Sequence, residues 1–314
     1  MRSSFITRVS LVVFFLSLAS LTLTAQDRVY VPYTQTDGVS PTPLALSASN
    51  NDFVISYVTP ASSRKRASKP SSVCGTAETP VSELKVIVPY DTTFLAKFNT
   101  SADRDAFISA RIAENNATIR KTEPGGNRRV SLAFSWLVPY TSHGVSEDDF
   151  RWETTSPEIL AMKKSFNNAV VVFWVGERGD FAGTASGPGN GDSSLAFEVM
   201  SYDGAPQGIA SDLFGVTLGM HLQVEIESPA VQPAWSHEYS TQSFYTASAS
   251  PSICLPSCRR VDVWSSPFIL VDGEPAGKVG VSEDGNKVLS SGFQMLGAQT
   301  VCVATSSLLG QIAR

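Results

Sequence analysis

The fold is constrained most strongly by residues 169–175, whose sequence is AVVVFWV. Every residue in this run is apolar, so a strand formed by it carries apolar side chains on both faces. Such a strand belongs at the centre of a sheet, with further layers of structure covering both of those faces. The run therefore predicts a layered domain built around a sheet.

Periodic patterns on either side of this run alternate between strand and helix. Residues 130–138 alternate apolar and polar side chains, which indicates a half-buried strand. In chain order, the predicted elements are a strand at 84–88, a helix at 101–120, a strand at 130–138, a helix from Pro157, strands at 169–175 and 195–200, and a helix at 211–227. This order predicts an α/β (α+β) fold with a twisted, mostly parallel sheet and helices packed on it. Residues 176–194 predict a loop.

The last of these helices, residues 211–227 (SDLFGVTLGMHLQVEIE), is predicted to be buried. Ser211 suits the N-cap and Asp212 the first turn, where the unpaired backbone N–H groups favour negative charge. Two adjacent apolar stripes make a wide apolar face, formed by Leu213, Val216 and Met220 and by Phe214, Leu218 and Leu222. After residue 227 regular patterns become sparse, and this predicts an irregular C-terminal subdomain. The exception is a predicted closing helix at 287–296.

Residues 1–25 have the pattern of a secretory signal peptide. Arg2 and Arg8 precede an apolar run at 9–23, and Ala25 suits the cleavage site. A membrane anchor is the alternative, but this run is short for a hydrocarbon layer of roughly 30 Å. We expect a secreted or extracellular protein, with the periplasm or cell surface as the other fitting compartments, and no membrane association after cleavage. A mild net charge of −5 argues against a nucleic-acid-binding surface, which would be basic.

Four cysteines, at positions 74, 254, 258 and 302, fit an oxidising compartment. Three disulfide pairings are open. Cys254 and Cys258 flank a Leu-Pro-Ser turn, which favours a local bridge, and Cys74 and Cys302 would then join the start of the globular part to its end. A zinc site is disfavoured because the paired Cys-x-x-Cys spacing is missing.

Residues 26–80 form an N-terminal extension or propeptide-like region with little periodic pattern. Within it, residues 62–70 (SSRKRASKP) predict an exposed basic linker. Its Arg64-Lys65-Arg66 run is either a processing site or a solvated loop.

Several segments, taken together, are similar to the reprolysin-like branch of the metzincin zinc metallopeptidases. Residues 258–267 (CRRVDVWSSP) resemble the family's C-P-R-I-x-x-[YF]-S-N-P run, and residues 271–277 (VDGEPAG) resemble its [YF]-x-G-x-P-x-G run. Residues 285–289 (GNKVL) and 112–116 (IAENN) also match family segments. The resemblance implies a metzincin-like domain at 81–305, divided into an N-terminal subdomain at 81–227 and a C-terminal subdomain at 228–305.

The catalytic motif of that family, H-E-x-x-H-x-x-G-x-x-H, is not retained. It supplies three histidine ligands for zinc and a glutamate as general base. The resemblance puts the ligand-equivalent positions at Val216, Met220 and Ile226 and the general-base-equivalent position at Thr217. Valine and isoleucine cannot bind zinc, and a thioether is a poor ligand for it. Tyr245 stands where the family has the methionine of its methionine turn.

These substitutions predict a secreted pseudoenzyme, a metallopeptidase homologue without zinc or another cofactor. Its expected function is that of a binding or decoy protein that holds a peptide or protein in the cleft, along the sheet edge. In the family, a Cys-Gly pair can cap the zinc and keep the enzyme latent. Cys74-Gly75 is therefore either a relic of such a propeptide or, as we expect, part of a disulfide.

Two alternatives remain at this stage. In the first, the chain is an active zinc endopeptidase whose non-standard site uses His221, Glu225 and His237. His221 and Glu225 are spaced as i and i+4, although we expect His221 to face solvent or the rim of the cleft. In the second, the resemblance is accidental and the chain is an unrelated secreted surface α/β domain. Zinc is implied only by the first alternative.

Overall fold

The computed structural model describes residues 28–32, 55–57, 74–123, 126–134, 156–166, 170–176, 181–186, 197–202, 208–221, 235–249, 258–282 and 285–304. The strands within these ranges are β1 (Arg28–Pro32), β2 (Ile55–Tyr57), β3 (Glu78–Ile87), β4 (Arg128–Phe134), β5 (Val170–Val175), β6 (Phe181–Ser186), β7 (Phe197–Ser201), β8 (Phe244–Thr246), β9 (Arg259–Val261), β10 (Ser266–Val271), β11 (Glu274–Ala276) and β12 (Gln299–Ala304). The helices are α1 (Thr92–Leu95), α2 (Ser101–Thr122), α3 (Pro157–Ser165), α4 (Ile209–Thr217) and α5 (Gly285–Met295). Of the helices in these ranges, none has the length and apolar character needed to cross a membrane.

The main sheet contains seven strands and is only partly parallel. Along one path the order is β1-β6-β7-β5-β3-β12, and β4 pairs with β3 on the other edge of that strand. The pairs β3–β4, β3–β5 and β5–β7 are parallel, whereas β1–β6, β6–β7 and β3–β12 are antiparallel. The prediction of a mostly parallel sheet is therefore confirmed only in part, because three of these six pairings are parallel. A hairpin strand, β6, lies inside the predicted loop 176–194, and both ends of the chain add antiparallel strands.

The apolar run that predicted a central strand forms β5. Val170, Val172 and Trp174 belong to the main core cluster, and Val171, which points to the other face, is equally buried. The prediction that both faces of this strand are covered is confirmed. The long helix α2 contacts β4 and α4, and α4 contacts β6 and β7.

An aromatic cluster lies where the parallel strands β3, β5 and β7 end. The rings of Phe94 and Trp174 are stacked with centroids 5.6 Å apart, and Phe98, Phe107 and Tyr202 pack around them. In open α/β sheets, ligands commonly bind at this end of the strands. Here the position is filled by the protein's own side chains.

The C-terminal region, defined as residues 235–282, is built from short strands around a second apolar cluster. Strand β8 pairs with β9, and β10 lies between β11 and β2. The cluster comprises Phe244, Val261, Val263, Ile269, Val271 and Ala276. Strand β12 then rejoins the main sheet, where Cys302 forms a disulfide with Cys74 across a sequence separation of 228 residues. The predicted bridge between these two cysteines is thus present, and it excludes a free Cys74 thiol.

Candidate functional site

Helix α4 begins three residues earlier than the sequence pattern predicts. Its N-cap is Gly208, whose φ of 93° is readily adopted only by glycine. Ser211 is not the cap; instead, its hydroxyl donates to the Gly208 carbonyl oxygen over 3.0 Å. Asp212 does stand in the first turn, as predicted, and carries its negative charge near the positive end of the helix dipole.

Helix α4 also ends early, at Thr217. Leu218 is the C-cap and Gly219 follows with a φ of 100°. The Gly219 N–H donates to the Val216 carbonyl over 2.8 Å, and the Met220 N–H donates to the Gly215 carbonyl over 2.9 Å. These two bonds form a Schellman motif, which closes a helix. The prediction that residues 218–221 continue the helix is therefore wrong, and Met220 does not lie one helical turn beyond Val216.

The described ligand-equivalent side chains are packed into the core. Val216 and Met220 both belong to the main apolar cluster. Thr217, at the general-base-equivalent position, is fully buried and donates its hydroxyl to the Leu213 carbonyl oxygen over 3.1 Å. Ile226 lies outside the described residues. The three described side chains do not fit a zinc ion, since none offers a nitrogen or carboxylate ligand.

The segment that would correspond to the methionine turn packs directly against α4. Ser248, which has a φ of 68°, donates its backbone N–H to Asp212 Oδ1 over 3.1 Å and its hydroxyl to the Asp212 carbonyl oxygen. Gly215 faces this turn closely, because a Cβ atom there would collide with Ser248 Oγ. Tyr245 is half-buried, and burial followed by the charge of Asp212 raises its pKa.

Two of the three histidines, His221 and His237, lie side by side. The backbones of His221 and His237 form a parallel bridge, and their ring centroids are 5.8 Å apart. Both are buried, so the expectation that His221 faces solvent or the cleft rim is wrong. His221 lies beyond the end of α4 at Thr217. It therefore cannot be the first member of an i, i+4 ligand pair with Glu225 on that helix. Glu225 and His143 lie outside the described residues.

The described residues form no zinc site of ordinary composition. The one group of three close ligand atoms found there consists of Cys74, Glu78 and Cys302. Its two sulfur atoms are bonded to each other in the disulfide and cannot serve as thiolate ligands. Cys258 is also disulfide-bonded, with a partner outside the described ranges.

A partly buried ion network, which sequence reasoning missed, joins α4 to the C-terminal region. Arg260 on β9 donates to Asp212 Oδ1 over 2.6 Å, to Ser211 Oγ over 2.7 Å and to the Gly208 carbonyl over 3.1 Å, and it also pairs with Asp262. Burial alone would lower the pKa of Arg260, but Asp212 and Asp262 outweigh it and raise the pKa above its usual value. In the sequence, Arg260 belongs to the C-R-R-V run at residues 258–261, and nothing local in that run indicates its partners on α4 and α2.

The network continues onto α2. Glu114 pairs with Arg111 over 2.8 Å and accepts from the Ser211 N–H over 3.4 Å. Burial is the main cause that raises its pKa, and Arg111 is the main cause that opposes the rise. Lys121 pairs with Asp262 over 3.2 Å. Within the described residues, the network brings together three cations and three carboxylates, so its charges balance and it serves to hold three elements together.

A second buried carboxyl group, that of Glu238, follows His237 directly. It accepts hydrogen bonds from the Thr246 hydroxyl and, over 3.1 Å, from the Ser265 N–H. Burial raises the pKa of Glu238 well above its usual value, and these two hydrogen bonds only partly oppose the rise. Its position fastens β8 to the start of β10.

Comparisons with known proteins define the fold more than the function. No protein-family model matches the chain, and no curated protein matches it. Among solved structures, it is similar to one described as "Structure of a chaperone-substrate complex", with a TM-score of 0.54 and 11% identity over 69% of this chain and 35% of that chain. It is also similar to "Crystal Structure of metalloproteinase-II from Bacteroides fragilis", with a TM-score of 0.32 and 12% identity over 47% and 48% of the two chains.

At these identities the first similarity shows a shared fold alone, and the second is too weak to carry an argument. The chain spans about a third of the length of the first structure. The fold therefore defines the class of the protein as mixed α/β with a partly parallel sheet. At the candidate site, the buried helix α4 and the other described residues do not assemble a set of zinc ligands.

Proposed function

We propose that this protein is a secreted, catalytically inactive homologue of reprolysin-like metallopeptidases that functions by binding a peptide or protein. The observation that carries the proposal is the packing of Val216, Thr217 and Met220 into the main core. At the positions where the family needs ligands and a base, these side chains instead contribute to the stability of the fold. Binding then depends on the sheet edge and cleft beside α4 rather than on a metal ion.

The early end of α4 supports the same proposal. Two histidines on consecutive turns of one helix can bind a single zinc ion. This arrangement requires the helix to continue through both positions. The Schellman motif at Gly219 ends the helix between Val216 and Met220. Restoring activity would therefore require a longer helix as well as new ligands.

The test is a measurement of metal content and proteolysis on purified protein exposed to zinc. We expect well below one zinc per chain by elemental analysis and no cleavage of casein. A control variant, Val216→His with Met220→His, should also remain inactive because the two positions are not one turn apart. One zinc per wild-type chain together with casein cleavage would overturn the proposal.

The second candidate function is an active zinc endopeptidase with an unorthodox site, and the pairing of His221 with His237 favours it. Their ring centroids, 5.8 Å apart, are close enough for both imidazoles to approach one ion. A third ligand, such as Glu225, would have to come from outside the described residues. Under this candidate, both His221→Ala and His237→Ala abolish zinc binding and cleavage, whereas His143→Ala, the matched control, does not.

A further inference from the structure

The disulfide between Cys74 and Cys302 lies at the protein surface beside a carboxylate. Cys74 is half-buried, whereas Cys302 and Glu78 are exposed. The two sulfur atoms and one carboxylate oxygen of Glu78 all lie within 4.8 Å of one another. Thiolate sulfur and carboxylate oxygen are both zinc ligands. These three side chains therefore have the composition of a metal site whenever the bond between the two sulfur atoms is absent.

Backbone hydrogen bonds hold these side chains together independently of the disulfide. Strand β12 pairs antiparallel with β3, and the register sets Cys302 opposite Pro80. The Glu78 N–H donates to the Gly75 carbonyl over 3.0 Å, and the Gly75 N–H donates to Glu78 Oε2 over 3.0 Å. This turn fixes the carboxylate next to Cys74. Breaking the disulfide leaves both sets of hydrogen bonds available, so the two thiols stay close to each other and to Glu78.

The spacing of the two cysteines also suits a shared ion. Two thiolates on a tetrahedral zinc ion lie about 3.8 Å apart, because each Zn–S bond is about 2.3 Å long. The Cα atoms of Cys74 and Cys302 are 5.6 Å apart, so rotation of the side chains can provide this separation while the strands stay in place. Because Cys302 and Glu78 are exposed, water can reach the ion and supply a fourth ligand.

We propose that reduction of this disulfide by a dithiol converts Cys74, Cys302 and Glu78 into a binding site for Zn²⁺ or a similar thiophilic divalent cation. In the exchange, the dithiol is oxidised to its own disulfide, and the two cysteine sulfurs gain two electrons and two protons. The cation then displaces both thiol protons into solvent and binds two thiolates and the Glu78 carboxylate. The disulfide and the ion exclude each other, so the redox state of the surroundings decides which one links β12 to the turn at Cys74.

The experiment titrates Zn²⁺ into the full chain, first oxidised and then after reduction and removal of the reductant without air, in competition with a chromophoric chelator. We expect no zinc at this site in the oxidised protein and one zinc per chain in the reduced protein. The matched control is Cys74→Ser with Cys302→Ser, which should lose this zinc. It separates the site from the Cys258 thiol, which the same treatment exposes.

Glu78→Gln tests the carboxylate while both thiols remain. Loss of an outer-shell partner alone costs about tenfold in metal affinity, so loss of a ligand should weaken zinc binding by at least as much. Glu274→Gln, which removes an exposed carboxylate on β11, is the matched control and should bind zinc as the wild type does. Equal affinity of the Glu78 and Glu274 variants would contradict the assigned role of Glu78.

Hydrogen exchange shows whether the reduced chain stays folded and whether the ion takes over the cross-link. Reduction should speed exchange of the β12 amides, zinc should slow it again, and β3 amides should stay protected. Adding a small disulfide reagent to the zinc-loaded protein should re-form the bond and release the ion. Equal zinc uptake by the reduced wild type and the double serine variant, or loss of β3 protection on reduction, would overturn the inference. Casein cleavage is not measured, so failure here is distinct from failure of the proposed inactivity.

Discussion

The sheet region, residues 74–202 and 285–304, and the C-terminal region, residues 235–282, are stabilised in different ways. In the sheet region, long strands such as β3 bury consecutive apolar side chains, and their backbone groups are paired in ladders. In the C-terminal region, β8, β9 and β11 have three residues each. Strands this short pair few backbone groups, so side chains must satisfy many of the others.

The buried polar residues of the C-terminal region meet that need. The Ser265 hydroxyl donates to the His237 carbonyl over 2.8 Å, and the Thr246 hydroxyl accepts from the Tyr239 N–H over 3.0 Å. Arg260 performs the same role between this region and α4. The difference teaches that the sheet region needs apolar residues of the right size, whereas the C-terminal region needs particular polar groups in particular places.

The largest effect should come from Arg260→Met, which leaves the partly buried carboxylates of Asp212 and Asp262 without their cation. Removing one partner of a buried ion pair costs about 3 to 5 kcal/mol of unfolding free energy, and we expect the lower end of this range because these side chains are only partly buried. Urea denaturation measures the loss. Arg259→Met, on the exposed neighbouring position of β9, is the matched control and should change stability by less than about 0.5 kcal/mol. Equal losses for the two variants would contradict the role of the network.

Removal of the disulfide should have the next largest effect and should be felt in the sheet region. Cys74→Ser with Cys302→Ser frees a loop with a sequence separation of 228 residues, and we expect a loss of about 3 kcal/mol. Hydrogen exchange should show faster exchange for β12 amides, while amides of β8 and β9 change less. If β8 and β9 lose as much protection as β12, the two regions are not stabilised independently.

Gly215→Ala tests the contact between the regions. A Cβ atom there would collide with Ser248 Oγ and would lie 2.7 Å from Trp264 Nε1. Alanine favours a helix by about 1 kcal/mol over glycine, but the overpacking should outweigh it and give a net loss of about 2 kcal/mol. Thermal denaturation checks this. Gly75→Ala, where the nearest atom is Glu78 Oε2 at 3.3 Å on an exposed side chain, should be nearly neutral.

The smallest effect, and one that depends on pH, is expected for Glu238→Gln. Because the pKa of Glu238 is raised in the folded state, folding favours its neutral form, and stability falls as pH rises from the unfolded pKa towards the folded one. Glutamine has no such penalty and keeps an acceptor for Thr246 and Ser265. Relative to wild type, the variant should therefore become progressively more stable as pH rises above the ordinary pKa of a glutamate. Parallel stability curves above that pKa would refute the account.

Much of the sheet could be predicted because its signals are local. The apolar run of β5 and the alternation in β4 follow from the period of a strand, whatever surrounds them. The hairpin strand β6 escaped prediction since its sequence, FAGTAS, has small residues and no clear alternation. Its strand conformation depends on pairing with β7 and β1, which lie elsewhere in the sequence.

The candidate site was predicted less well, and α4 shows why. Its apolar stripes extend past Thr217, and periodicity cannot distinguish a helix from a turn whose residues are buried as well. Gly219 was the available sign of a helix end. The Arg260 network could not be foreseen, because it requires α2, α4 and β9 to be brought together by the fold.

The sequence by itself determined that this is a layered protein of strands and helices, because the periodicity of buried residues is encoded locally. It also determined that the ligand-equivalent positions are occupied by apolar residues, Val216 and Met220. Only the tertiary structure decided that β1 covers the sheet edge, that β12 closes the sheet beside β3 and that His221 lies against His237. Each of these contacts joins segments that are distant in the chain. Which segments pair is decided by the surfaces that they bury together in the folded protein, and no local sequence pattern contains that information.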